Sequence, residues 1–90
     1  MKTLTNENDI SQLLNTDIIL YFYRSDDILL YDMMQPILTE LNKSNEIVGI
    51  DITAFISTIK RFTIQEVPTI LFFQDGAERK RISGIPKNLI

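Results

Sequence analysis

Ninety residues with a 44% hydrophobic and 23% charged share make one globular domain, 1–90, and exclude a disordered chain. A formal net charge of −3 gives no electrostatic footprint for nucleic acid. The sequence has neither cysteine nor histidine, so the chain has no thiol of its own for disulfide exchange and lacks the commonest general base and transition-metal ligand.

Met1-Lys2-Thr3-Leu4 runs directly into polar Thr5-Asn6-Glu7-Asn8-Asp9, without a secretory pattern. No apolar run approaches bilayer length, so the expectation is a cytoplasmic protein with no membrane partner. A short strand at Lys2–Thr5 is expected to open the chain. Asn8 or Asp9 is placed to cap a short helix whose Ile10, Leu13 and Leu14 fall at i, i+3, i+4. Ile18-Ile19-Leu20-Tyr21-Phe22-Tyr23 is apolar throughout and rich in β-branched and aromatic residues. That pattern predicts a central strand covered on both faces.

Ser25-Asp26-Asp27 is a helix start, with a hydroxyl cap followed by carboxylates at the positive end of the dipole. The helix is predicted to reach about Asn42, on a stripe of Leu30, Met33, Met34, Ile37, Leu38 and Leu41. Pro36 inside it predicts a kink. Glu46–Asp51 reads as a strand, and Thr53–Phe62 as a helix burying Phe55, Ile56, Ile59 and Phe62. Val67-Pro68-Thr69 introduces a strand over Ile70–Phe73, Asp75-Gly76 signals a hairpin, and Glu78–Ser83 returns antiparallel. Ile85–Ile90 has room for at most one helical turn.

The capped helix with Gln35-Pro36-Ile37-Leu38, the Val67-Pro68-Thr69 strand entry and the Asp75-Gly76 hairpin, in this order, resemble the thioredoxin family over nearly the whole chain. The resemblance implies an α/β, thioredoxin-like three-layer fold. Its mixed sheet of four or five strands has helices on both faces, and the C-terminal helix is shortened or absent. It also implies a cis peptide before Pro68, beside the active-site motif, where in the family the residue before proline pairs its backbone with bound polypeptide; the alternative is that Pro68 only shapes the entry to the strand. In the family the second helix begins Cys-Gly-Pro-Cys. Counting back from Pro36 puts Ile28 and Tyr31 at the cysteine positions, with Leu29 and Leu30 between them.

Four successive apolar residues cannot all face one core. Ile28, Leu29 and Tyr31, with Val67 and Pro68, are therefore the expected contact surface for a polypeptide partner. The alternative is that the preceding loop folds over them. A chain ending at Leu89-Ile90, barely into the family's last helix, leaves apolar surface for a second copy, and a homodimer is the expected cover. The expected function is a redox-inactive binding or assembly module, with a peptide-holding, chaperone-like domain as alternative. A non-thiol enzyme would rely on Ser25 or on Asp26 and Asp27, but no histidine is available to activate the serine. No cofactor or metal is implied. Arg79-Lys80-Arg81 and Lys60-Arg61 are read as a guarded sheet edge and a solvated face rather than as an anion site.

Overall fold

The computed structural model describes residues 1–86; the expected terminal turn over 85–90 lies largely outside them. The elements are β1 (Lys2–Thr3), a 3-10 turn at Glu7–Asp9 continuing into α1 (Ile10–Leu13), β2 (Ile18–Tyr23) and α2 (Ile28–Asn42). They are followed by β3 (Ile47–Asp51), α3 (Ser57–Arg61), β4 (Thr69–Gln74) and β5 (Ala77–Ser83). The five strands lie in the order β1-β3-β2-β4-β5. β3 is parallel to both β1 and β2, while β4 is antiparallel to β2 and to β5.

β2 is the central strand because all of its neighbours are needed to cover it. Alternation sends Ile18, Leu20 and Phe22 to one side, against Ile10, Phe62 and Ile64 around α1 and α3. Ile19 and Tyr21 go to the other side, against Met34 and Leu38 of α2. This layering produces the three-layer α/β architecture. Asp75 and Gly76 both have positive φ (53° and 77°), the conformation of a tight hairpin turn that twists with its strands.

Three sequence expectations are corrected locally. Met33 is exposed rather than part of the buried stripe, because the narrow contact of α2 with the sheet is filled by Met34, Ile37, Leu38 and Leu41. Ile56 is also exposed. Phe55 and Ile59 take the buried side, and the regular helix begins only at Ser57. The cap of α2 is Asp27, whose Oδ1 accepts from the Leu30 N–H at 3.1 Å; Ser25 lies further back in the loop.

The positive end of β5 is engaged with the fold. Arg81 donates to the Phe62 and Thr63 carbonyls at 2.7 and 2.9 Å, at the end of α3, and pairs with both carboxylate oxygens of Glu78. One guanidinium thus ties a sheet edge to orphan helix-end carbonyls.

Candidate functional site

The C-terminal end of β2 brings the candidate residues to one end of the sheet. Phe22 is opposite Thr69 of β4, and Tyr23 is opposite Asp51 of β3. The α2 start and the Val67–Pro68 loop therefore flank the same strand end from opposite sides. The Val67–Pro68 peptide is cis. Thr69 Oγ1 donates to the Glu66 carbonyl at 2.6 Å, and the Pro68 carbonyl accepts from the Gly84 N–H at 2.8 Å. The intervening Val67 N–H and C=O have no hydrogen-bond partner among the described residues. Such a backbone step can add one short rung to an extended segment.

On the other flank, Ile28 and Leu29 are 71% and 74% exposed. At these values the preceding loop does not fold over Ile28 and Leu29. Tyr31 is half-buried because its ring packs on Tyr23 at 5.6 Å, and Tyr23 in turn stacks on Tyr21 at 5.3 Å. All three tyrosines of the chain thus form one aromatic column, running from the core to the surface. Gly49 makes room for it, since a Cβ there would lie 3.1 Å from the Tyr23 ring.

Two hollows open at this end, one on each side of β2. One, of about 260 Å³, is lined by Tyr23, Ser25, Ile28 and Tyr31. The other, also of about 260 Å³, is lined by Arg24, Ile52, Ile59, Ile64, Gln65, Glu66 and Val67. The structure therefore does not merge Val67 with Ile28 and Tyr31 into one patch. The Val67 side chain packs with the α1/α3 core, Leu29 lines neither hollow, and Pro68 is buried.

The loop between β2 and α2 is held by Asp51. Its Oδ1 accepts from the Ser25 N–H at 3.2 Å, the Thr53 N–H at 3.0 Å and the Thr53 hydroxyl at 2.8 Å. Burial pushes the Asp51 carboxyl up, but the bonds from Ser25 and Thr53 outweigh it and hold it below the ordinary range. Burial, then the charge of Asp51 and the neighbouring Tyr31, push the Tyr23 phenol up. Arg24 forms a two-pronged pair with Asp26, at 3.0 and 2.9 Å. Ser25 Oγ has Thr53 Oγ1 as its neighbour at 3.3 Å, so the hydroxyl is next to another hydroxyl rather than to a base.

The thioredoxin family model matches residues 2–89. The chain belongs to the thioredoxin family. It is 32% identical to a thioredoxin of Mycoplasmoides gallisepticum (strain R(low / passage 15 / clone 2)) over 98% of this chain and 93% of the relative. A solved structure from work on thiol resolution in yeast mitochondrial 1-Cys peroxiredoxin via glutathione and thioredoxin systems is 26% identical, with a TM-score of 0.81. The match covers 93% of this chain and 83% of that one. A thioredoxin from Plasmodium falciparum, at 13% identity, shares the fold with a TM-score of 0.80 over 98% of this chain and 90% of its own.

These relatives overturn one sequence expectation. The missing cysteines led to the expectation of a redox-inactive binding or assembly module, with a peptide-holding, chaperone-like domain or a non-thiol enzyme as alternatives. The curated relative, however, carries the name thioredoxin, and family membership spans the chain. Lack of a thiol fixes which atom is missing; it does not move the chain out of a redox family. Among the described residues no helix is long and apolar enough to cross a membrane.

Sequence reasoning placed Ile28 and Tyr31 at the site but missed Tyr21, Tyr23 and Asp51. The tyrosines carried a usable signal: residues i and i+2 of a strand share a face. Asp51 carried none, since a lone carboxylate at a strand end has many uses.

Proposed function

We propose that this chain works within thioredoxin-type thiol–disulfide metabolism by recognising a cysteine-bearing polypeptide. The segment lies extended across the end of β2. Family membership supplies the redox setting. The observation that carries the recognition step is the Val67 N–H and C=O, unpaired among the described residues at the open end of the sheet. Beside it lie two hollows suited to side chains on either side of an extended strand. Ile28 and Tyr31 line one hollow and Val67 the other, exposed Leu29 follows Ile28 on α2, and Pro68 is buried behind Val67.

The test is an amide NMR titration with extended peptides containing one cysteine. Val67, Thr69, Ser25 and Leu29 are expected to shift together and saturate. Shifts confined to another surface, or no shift at millimolar peptide, would refute the proposal.

A further inference from the structure

The hollow beside α2 has an unusual combination of walls. Two tyrosine rings meet at 5.6 Å with their planes inclined at 55°, and exposed Ile28 and the Ser25 loop close the other sides. Such walls accept the methylene stem of a long side chain, and tyrosine faces attract a cation. Around them stand carboxylates without a matching cation. Asp51 holds the Ser25 N–H and is opposite Tyr23, and Asp27 caps α2 directly before Ile28. Among the described residues, neither takes part in an ion pair. The nearby Arg24 is already matched by Asp26. An apolar guest would fill the volume but leave this charge unanswered.

We infer that the Tyr23/Ser25/Ile28/Tyr31 hollow receives an arginine or lysine side chain of the bound polypeptide, its stem against the tyrosine rings and its charge facing Asp27 and Asp51. The inference rests on the polypeptide-recognition reading above and narrows it to a segment with a basic residue beside the paired backbone rung. Both carboxylates keep their structural bonds in this arrangement, since each accepts them through Oδ1 and its Oδ2 has no hydrogen-bond partner among the described residues.

The test uses the full chain and a set of fluorescent extended peptides identical except for one residue: arginine, lysine, norleucine or glutamate. Binding is read by anisotropy at low and high salt. The arginine and lysine peptides are expected to bind about tenfold tighter than norleucine, with glutamate weakest and the preference shrinking as salt rises. Asp27→Asn with Asp51→Asn is expected to abolish the preference while retaining the cap and loop bonds, and Tyr31→Leu to reduce it several-fold. Preserved amide dispersion shows that these variants are folded. Equal affinity for norleucine and arginine would overturn the cationic pocket and leave the recognition reading standing. No binding by any peptide would overturn both. A preference unchanged in the doubly substituted chain would place the basic residue elsewhere and overturn the inference.

Discussion

Tyr21→Phe removes one oxygen from the base of the aromatic column, where the hydroxyl is fully buried and has no hydrogen-bond partner among the described residues. An unpaired buried polar group costs about 1–3 kcal/mol. The void left by the lost oxygen, on the order of 10 Å³, returns only about 0.2 kcal/mol of that gain at about 24 cal/mol per Å³. The variant should therefore be more stable by about 1–3 kcal/mol at neutral pH, a rise in Tm of about 4–8 °C per kcal/mol for a domain of this size. Alkaline titration supplies a second readout. Burial, with the neighbouring Tyr31, Tyr23 and Asp27, pushes the Tyr21 phenol up to about 12. The unfolded chain gives up this proton near its ordinary pKa of about 10, so native stability falls from there and the loss is complete only above about 12. Two units correspond to about 2–3 kcal/mol, all of it missing from the variant. Urea midpoints for the two proteins should thus diverge further between about pH 9 and pH 12. A variant less stable than the parent at neutral pH would show that the hydroxyl has a favourable partner. A constant gap across the alkaline range would refute the ionisation argument.

Arg81→Ala should cost about 1–3 kcal/mol, because the Phe62 and Thr63 carbonyls lose a charged donor; faster amide exchange at the α3 end and along β5 checks it. Asp27→Ala should cost about 1 kcal/mol through loss of the bond to the Leu30 N–H, whereas Asp27→Asn should keep most of it, measured by urea unfolding. Asp51 has a depressed pKa in the folded chain, so its contribution is present above the unfolded value of about 3.9 and is lost as pH falls through the folded one. Asp51→Asn should therefore flatten the acid limb of stability below about pH 4, with little change in its shape above about pH 6. An acid limb identical to the parent's would remove Asp51 as its source.

The architecture was legible in the sequence because its signals are local and agree with one another. β2 is found with the boundaries its apolar run predicts, and Asp75-Gly76 makes the turn its residue types favour. The misassignments arise where local pattern meets tertiary geometry. Met33 fits the helical stripe of α2 as well as Met34 does, but only one of the two can face a sheet whose surface is already occupied by Tyr21 and Ile70. Ser25 and Asp27 are both good caps in isolation. The choice depends on Asp51, which draws the Ser25 N–H across to β3, and no spacing rule connects residues that far apart. The same limit hid the division of the site into two hollows, since only the β2–β3 and β2–β4 registers show that Tyr23 and Val67 face opposite layers.

The start of α2 also suggests what replaces the family's thiol. The first turn of a helix stabilises a negative charge, and a cysteine placed there has its thiolate favoured for that reason. In this chain the position offers Ile28, but the charge has not vanished: the Asp27 carboxylate accepts the Leu30 N–H one residue earlier. A thiolate in that place is consumed when it is oxidised to a disulfide, whereas a carboxylate takes no part in thiol–disulfide exchange. A site with a permanent anion and a tyrosine wall can hold a cation whatever the redox state of its surroundings. The peptide series distinguishes this arrangement from simple burial of an apolar residue, because only the former depends on Asp27 and Asp51 while leaving the packing of Ile28 and Tyr31 unchanged.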